Sequence, residues 1–251
     1  MKNISIVMVT FNASNCVELT IQSILNQDYS DYEYIVMDGG STDGTIDILS
    51  QYKHKFAYLV SEPDYGIYDA MNKAIDRANS EWIIFMNAGD SFANDHVLSD
   101  VFSMNHEGAD VIYGDSVGLY SWGCAHLNAR FFSDNDINLP FCHQSTLVRT
   151  KWMKKYKFDL KYKVAADYNF FHRLYVEGKS FEYINIPIAK FDMGGFSSKR
   201  VLQTYQEVTL AAGKRYNLMY YYTWMYLWIR SYVIKRLPQQ LINRVRIHRY
   251  T

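Results

Sequence analysis

Short apolar runs alternate with helically spaced segments along the first half of the chain. Residues 4–9 and 82–86 are apolar without alternation, which is typical of strands covered on both faces of a parallel sheet. Between them, the apolar residues of segment 67–78 have the spacing of one helix face. This alternation predicts βαβ units, and therefore an α/β fold with a mainly parallel central sheet flanked by helices.

The second half of the chain is less regular. Residues 116–140 mix aromatic residues with Gly and Asn, which indicates loops and short strands, and residues 218–229 form an apolar, aromatic tail. Ser14 or Asn15 is the expected cap of the first helix. The predicted strands are 4–9, 33–37, 56–60, 82–86, 110–113, 144–149 and 185–191, and helices are predicted to open near residues 14, 45, 67 and 165.

Charge divides the chain into two parts. There are 26 basic and 26 acidic residues, but from Lys214 onward the chain carries eight basic residues and no acidic ones. This tail predicts contact with an anionic surface, and nucleic-acid binding is not expected because the basic residues gather only there. Three cysteines without a CxxC pair favour a reduced cytosolic compartment and no zinc site. A strand that starts directly after residues 1–3 predicts no signal peptide.

Three carboxylates are the candidates for chemistry. Asp38 and Asp90 lie just past the ends of predicted strands, and Asp167 lies at the start of a predicted helix. Each is also explained as a turn residue or a helix cap, where Asp is favoured. Because ligands of open α/β sheets bind beyond the carboxyl ends of the strands, Asp38 and Asp90 on one edge favour a binding site there.

Asp90 and Asp167 suit different tasks. Asp90 predicts a site for Mg²⁺ or Mn²⁺, which bind one or two carboxylates together with substrate phosphates. Asn87 adds only a neutral amide, so a diphosphate would have to complete that site. Asp167 predicts a general base that takes a proton from an acceptor hydroxyl, and an ordinary N-terminal Asp of a helix is the alternative. The chain lacks the glycine-rich motifs of dinucleotide and P-loop sites.

The roles of three further residues stay open at this point. His143 is either a phosphate or acceptor contact or a structural histidine. Lys199 or Arg200, which follow the flexible pair Gly194-Gly195, could reach a diphosphate, and a plain loop is the alternative.

Six segments, taken in order, carry a resemblance to a known family. They are VMVTFNA at 7–13, YIVMDGGSTDGT at 34–45, SEPDYGIYDAMNKAI at 61–75, IIFMNAGDSF at 83–92, HQSTLVR at 143–149 and KVAADYNFFHRL at 163–174. Over roughly the first 200 residues the chain resembles the inverting family 2 glycosyltransferases of the Rossmann-like GT-A fold. It is most similar to the bacterial enzymes that build O-antigen, capsule and colanic-acid polysaccharides.

The resemblance implies how the chain is divided into functional parts. A catalytic domain would span 1–213, with a nucleotide-sugar half at 1–115 and an acceptor half at 116–213, and a helical extension would span 214–251. Asn87-Ala88-Gly89-Asp90 stands where the family has its DxD motif, with Asp90 as the metal ligand, and Asp167 corresponds to the catalytic base. The donor-site residues so implied are Thr10 and Asn12 for the nucleoside, Asp38 for the base, and Asp64, Gly66, Asn72, Asn87 and Lys199.

The implied function is transfer of a sugar, with inversion, from a nucleotide sugar to a hydroxyl of a polyprenyl-diphosphate-linked glycan. A UDP-hexose or UDP-N-acetylhexosamine is the expected donor by family habit. The cation that offsets the donor diphosphate is not assigned, because Met71 stands where family members often carry Arg. Lys73, Lys199 and Arg200 are the candidates.

Two alternatives accompany this hypothesis. Asn87 in place of the first DxD carboxylate favours a catalytically weak or inactive nucleotide-sugar or glycan-binding protein of the same fold. A nucleotidyltransferase would share the parallel sheet, but the segment after the first strand lacks the glycine-rich basic loop that such an enzyme needs.

The tail raises the question of membrane contact. Its apolar run is about a dozen residues long, short of the roughly 20 needed to span a bilayer. Its Tyr, Trp and Arg residues are typical of an interfacial helix. A lipid-linked acceptor then predicts a cytoplasmic protein held peripherally on the inner face of the cytoplasmic membrane. The alternatives are a tail that packs on the domain or forms a homodimer contact.

Overall fold

The computed structural model describes residues 2–133, 136, 138–195, 200–214, 218–234 and 236. The strands are β1 Ile4–Thr10, β2 Tyr32–Asp38, β3 Tyr58–Ser61, β4 Trp82–Phe85, β5 Ser91–Phe92, β6 Val111–Tyr120, β7 Gly123–Leu127, β8 Thr146–Arg149 and β9 Phe181–Asp192. The helices are α1 Val17–Leu25, α2 Thr45–Gln51, α3 Ile67–Arg77, α4 Val97–Phe102, α5 Thr150–Tyr156, α6 Ala166–Val176, α7 Val201–Ala211 and α8 Leu218–Ile234, with short 3-10 turns at Lys53–Lys55 and His143–Ser145.

The strands form one sheet in the order β3-β2-β1-β4-β8-β6-β9-β5, and β7 pairs with β6. Strands β3, β2, β1, β4, β6 and β9 point the same way, whereas β8, β5 and β7 run opposite to them. The predicted α/β fold with a mainly parallel sheet is therefore confirmed. Antiparallel β8 separates the N-terminal parallel strands from β6 and β9.

Helices cover both faces of the sheet, and this explains the unbroken apolar runs. Every residue of β1 is buried. Val7 and Val9 face a core that includes α3 and α6, whereas Ile6 and Met8 face a second core that includes α1 and α4. Burial of each such side chain contributes about 1.5–3 kcal/mol. The edge where the parallel strands end is thus held rigidly by packing on two sides.

One local prediction was wrong, and one strand is longer than predicted. The first helix begins after Cys16 without a side-chain cap, and the backbone N–H of Ser14 donates instead to Asp43 Oδ2 at 3.0 Å. Strand β6 continues to Tyr120, into a segment predicted to form loops and short strands, because it pairs with β9 over Ser116–Leu119. Such pairing between distant segments leaves no periodic signal in the sequence.

The C-terminal helices pack on each other and on the sheet domain. Tyr205 of α7 and Tyr220 of α8 stack with ring centroids 5.2 Å apart. Within the described part of the chain, no helix is both long and apolar enough to cross a membrane. Along α8, large apolar side chains are exposed at Leu218, Tyr221, Tyr222, Met225, Tyr226, Trp228, Ile229, Tyr232 and Val233.

Candidate active site

The carboxyl ends of β1, β2 and β4 lie side by side, as the sequence predicts. Thr10 pairs with Asp38 in the register of β1 and β2, and the backbone N–H of Ala88 donates to Val9 O at 3.2 Å. Beyond the end of β4 a cavity of about 990 Å³ opens. This is the edge at which open α/β sheets bind their ligands.

Residues from both halves of the chain line this cavity. Asp90 and Asp167 both face it, although they are far apart in the sequence. The end of β9, the start of α6 and the helices α7 and α8 complete the wall. Among the described lining residues are Cys16, Tyr68, Asn87, Asp90, Phe141, His143, Gln144, Asp167, Asp192, Tyr205, Leu227 and Arg230.

Asp90 follows a tight turn that α1 holds in place. Thr20 Oγ1 donates to Asp90 O at 2.6 Å and accepts from Gly89 N at 2.9 Å. Gly89 has φ +98°, a conformation that favours glycine. The Asp90 carboxylate is 9% exposed, and burial raises its pKa from 3.8 to about 6 against the opposing effects of Gln144 and His143. This carboxylate therefore sits in a site that penalises its charge unless a cation is bound.

Unpaired polar atoms lie beside Asp90. Asn87 is 8% exposed, and its Oδ1 has no hydrogen-bond partner among the described residues. The same holds for Nε2 of His143, which also lines the cavity. Buried polar atoms are nearly always paired, so atoms left unpaired on a cavity wall indicate a place for ligand groups.

The side-chain oxygens of Asn87 and Asp90 are the candidate metal ligands. Within the described ranges, no group of three His, Cys, Asp or Glu side chains is arranged to hold a metal ion. The Asn87 amide oxygen and the Asp90 carboxylate are nevertheless hard oxygen donors on one turn. They fit Mg²⁺ or Mn²⁺ when phosphate oxygens and waters supply the remaining ligands.

Asp167 lies in the first turn of α6, where its side chain is 17% exposed. Tyr68 Oη lies 3.1 Å from Asp167 Oδ1 and 3.0 Å from Val164 O, and His143 Nδ1 lies 3.3 Å from Asp167 Oδ2. Burial raises the pKa of Tyr68 well above its usual range, so this hydroxyl stays protonated and can donate. The carboxylate is thus oriented by two side chains and still reaches the cavity.

The start of α6 is anchored by a buried carboxylate from α7. Glu207 Oε2 accepts hydrogen bonds from Val164 N at 2.8 Å and Ala165 N at 3.0 Å, and Gln203 donates to its other oxygen. These two N–H groups precede the first turn of α6, where helices leave donors unpaired. Glu207 therefore fixes the segment that carries Asp167.

The predicted nucleoside and base contacts form a separate group at the ends of β1 and β2. Asp38 is 2% exposed, and its oxygens accept from Gly40 N, Ser41 N, Ser41 Oγ and Ser61 Oγ at 2.5–3.0 Å. Asn12 Oδ1 accepts from Thr42 N at 2.9 Å, and Thr10 Oγ1 is buried without a partner among the described residues. The structure thus brings Thr10, Asn12 and Asp38 together.

Asp64 and Gly66 flank this group. A Cβ on Gly39 would lie 2.5 Å from Asp64 Oδ2, so Asp64 approaches the β2 loop closely. Asp64 Oδ1 accepts from the backbone N–H of Gly66, which has φ +114° and precedes α3. The contacts of these residues with a donor stay predictions.

Asn72 is not brought to the cavity. Its amide donates to Phe158 O at 2.9 Å and accepts from Phe158 N at 2.8 Å, so both polar ends tie α3 to the segment after α5. Lys73 is paired with Glu62 at 2.9 Å. Lys199 lies outside the described residues, and Arg200 is not among the described residues that line the cavity.

Several cavity residues were missed by the sequence prediction. Asp192 is the last residue of β9, as Asp38 is of β2, so the strand-end signal applied to β9 finds it. Gln144 donates to Asp90 Oδ2 at 3.1 Å and lies in the quoted HQSTLVR segment. Tyr68 likewise lies in the quoted segment 61–75. Glu207 and Arg230 have no comparable signal, because only tertiary packing brings Arg230 to the cavity and Glu207 to the start of α6.

Comparisons with known proteins identify the family. The family model described as Glycosyl transferase family 2 matches residues 5–123. A PGL/p-HBAD biosynthesis glycosyltransferase of Mycobacterium bovis (strain BCG / Pasteur 1173P2) is 31% identical over 206 residues, which cover 77% of this chain and 78% of that protein.

Two solved structures share the fold. The fold is similar to S. aureus TarS 1-349 in complex with UDP-GlcNAc, with a TM-score of 0.67, 18% identity, and coverage of 83% of this chain and 66% of that chain. It is also similar to the mannosyltransferase PcManGT from Pyrobaculum calidifontis in complex with GDP-Man and Mn2+, with a TM-score of 0.62, 15% identity, and coverage of 82% and 64%. The chain therefore belongs to glycosyl transferase family 2, whose members act on nucleotide sugars, and it has the GT-A fold.

Proposed function

We propose that this protein is an inverting, metal-dependent glycosyltransferase of surface polysaccharide biosynthesis, of the O-antigen or capsule type. It would move a hexose or N-acetylhexosamine from a UDP-sugar to a hydroxyl of a polyprenyl-diphosphate-linked oligosaccharide. The observation that carries this proposal is that Asp90, at the end of β4, and Asp167, at the start of α6, line one cavity. A cation-binding carboxylate and a base that reach one cavity suit a single displacement at an anomeric carbon.

Asp167 performs the proton transfer in this mechanism. One carboxylate oxygen accepts the proton of the acceptor hydroxyl as that oxygen attacks the anomeric carbon from the face opposite the nucleotide. Tyr68 Oη, 3.1 Å from Oδ1, and His143 Nδ1, 3.3 Å from Oδ2, keep the carboxylate in one orientation. Because a single attack displaces the nucleotide, the configuration at the anomeric carbon is inverted.

The turn at the end of β4 binds the leaving group. Asp90 and Asn87 would hold Mg²⁺ or Mn²⁺, which supplies Lewis-acid stabilisation of the departing diphosphate when it is bound. Burial keeps bulk water from the Asp90 carboxylate and strengthens its attraction for a cation. The loop group of Thr10, Asn12 and Asp38 would receive the nucleoside.

The first experiment is a panel of sugar nucleotides incubated with the protein, with and without Mn²⁺, in which released nucleotide is measured. We expect Mn²⁺-dependent release from a UDP-sugar when an acceptor is present. Asp167→Asn should lower kcat by about 10²- to 10⁴-fold with little change in donor binding, since general-base catalysis contributes a factor of that size. Nucleotide binding without turnover in the wild type, unchanged by Asp167→Asn, would favour the alternative of a binding protein, which the neutral Asn87 motivates.

A second part of the proposal concerns location. Exposed aromatic residues along α8 lie within the basic segment that starts at Lys214. This combination suits the interface of an anionic membrane. We expect the full chain to float with liposomes that contain anionic lipid and not with neutral ones. A variant truncated after Gly213 that still floats would contradict peripheral attachment through the tail, and a dimer that depends on residues 214–251 would support the alternative contact.

A further inference from the structure

The cavity is acidic, although its proposed ligands are anionic. Asp90, Asp167 and Asp192 line it. Of the lining residues that the structure describes, Arg230 is the one whose side chain is positively charged at every physiological pH. A diphosphate entering this cavity adds further negative charge, so a fixed cation beside any metal ion would reduce the repulsion.

Other basic residues near the site are already engaged. Lys73 Nζ lies 2.9 Å from Glu62 Oε1 and donates to Pro63 O at 3.2 Å. Arg130 forms a two-pronged ion pair with Asp136. Neither side chain lines the cavity, so neither offsets the charge of a ligand bound there.

Arg230 is placed by the packing of α8. Leu227 and Arg230 are three residues apart and therefore share a helix face, and both line the cavity. The stack of Tyr205 on Tyr220 joins α8 to α7. Since Glu207 of α7 anchors the start of α6, the wall that carries Arg230 is connected to the helix that carries Asp167.

We propose that Arg230 is a diphosphate-binding residue of this cavity. Its guanidinium group has a planar fork of donors that binds two phosphate oxygens at once. This inference rests on the proposed function, which supplies a sugar-bearing diphosphate as the ligand. The diphosphate belongs either to the nucleotide donor or to the lipid-linked acceptor, because the same chemistry recognises both.

The donor arm of the test measures binding without turnover. UDP, GDP, dTDP and inorganic pyrophosphate are titrated with Mg²⁺ into the full-length protein by calorimetry. If the donor is the source, Arg230→Gln binds its nucleotide about 10- to 100-fold more weakly, the size expected for a charge-assisted contact. The affinity of Arg230→Lys should lie between those of the wild type and Arg230→Gln, since lysine keeps the positive charge and loses the planar pair of donors. Arg77→Gln, which removes an exposed arginine outside the cavity, is the matched control and should bind like the wild type.

The acceptor arm compares a short-chain polyprenyl-diphosphate sugar with the same sugar as an uncharged alkyl glycoside. If the acceptor is the source, Arg230→Gln raises KM about 10-fold or more for the diphosphate acceptor only. Thermal unfolding checks that each variant folds, and Arg230→Lys replaces Arg230→Gln if the latter does not. Unchanged binding of every diphosphate and unchanged KM in the variant, or no diphosphate binding by the wild type, would overturn the inference. Arg230-dependent UDP binding without sugar transfer would instead overturn only the proposed function.

Discussion

Polar side chains at the carboxyl edge of the sheet are used differently in the loops after β1 and β2 and in the cavity after β4. In the loops, Asp38 accepts four hydrogen bonds, and Asp43 accepts from Ser14 N and from both donors of Thr45. These bonds hold the pKa of Asp43 well below its usual range, with the Thr45 hydroxyl as the largest cause.

In the cavity, by contrast, two buried polar atoms lack hydrogen-bond partners within the part of the chain that the structure describes. Asn87 Oδ1 and His143 Nε2 have no partner among the described residues, and the buried Asp90 carboxylate has a raised pKa. Satisfied carboxylates stabilise the scaffold that presents a ligand, whereas unsatisfied groups bind it. Aspartate thus stabilises the loops at Asp38 and Asp43, whereas at Asp90, in the turn beyond β4, it is available to a ligand.

The variant with the largest expected effect is Asp90→Asn. Turnover should fall about 10²- to 10³-fold, or about 3–4 kcal/mol in activation free energy, because the cation loses its charged ligand. Steady-state kinetics over a Mn²⁺ titration measures the loss. Asp95→Asn, which changes an exposed carboxylate outside the cavity, should retain wild-type turnover, and equal activity of both variants would contradict a metal role for Asp90.

The same variant should have the opposite effect on stability without metal. The folded-state pKa of Asp90, about 6, lies above its ordinary value of 3.8, so the folded protein binds this proton more tightly. The free energy of unfolding of the wild type should therefore rise as the pH falls from 7 through 6 towards 4. Urea unfolding with a chelator present should find Asp90→Asn more stable than the wild type at pH 7.5, by about 2–3 kcal/mol at most, and the difference should shrink towards pH 4. A variant less stable at pH 7.5 would contradict the cost of the buried charge.

Asp38→Ala tests the other region. Removing this carboxylate leaves the N–H groups of Gly40 and Ser41 and two hydroxyls without their acceptor. We expect the free energy of unfolding to fall by about 2–3 kcal/mol in urea titrations. Asp47→Ala, an exposed carboxylate on α2, should change stability by less than about 0.5 kcal/mol. If Asp38→Ala changed only donor binding and not stability, the distinction between the two regions would fail.

Local patterns in the sequence were sufficient for most of the scaffold, whereas only the family resemblance implied that Asp167 and Asp90 belong to one site. Unbroken apolar runs predict the buried parallel strands, and the rule that ligands bind at strand ends places Asp90 on the correct edge. The start of α6 follows from its helical spacing. These signals depend only on residues close in sequence, so they can be recognised without any knowledge of the tertiary contacts.

The remaining contacts depend on how the elements pack. Asn72 lies in a matching segment of α3, but the sequence does not say that the backbone of Phe158 occupies its amide. The extension of β6 depends on pairing with β9, and Arg230 reaches the cavity only because α8 packs on α7. A motif assigns a residue to an element, whereas tertiary packing decides which partner its side chain contacts.

Glu207 combines the two uses of a carboxylate, because it is fully satisfied and yet acts on the cavity. Its bonds to Val164 N and Ala165 N hold the start of α6, three residues or fewer from Asp167. Glu207→Ala should lower kcat about tenfold, or about 1.4 kcal/mol, with the KM for the donor unchanged, because the base is less well oriented. Glu207→Gln should recover most of this loss, since its amide oxygen can accept the same two bonds while Gln203 turns its amide to match. Kinetics of both variants, corrected for the folded fraction, make the measurement. Equal kcat in Glu207→Ala and the wild type would mean that α7 contributes stability alone, and failure of Gln to recover activity would mean that the negative charge is required.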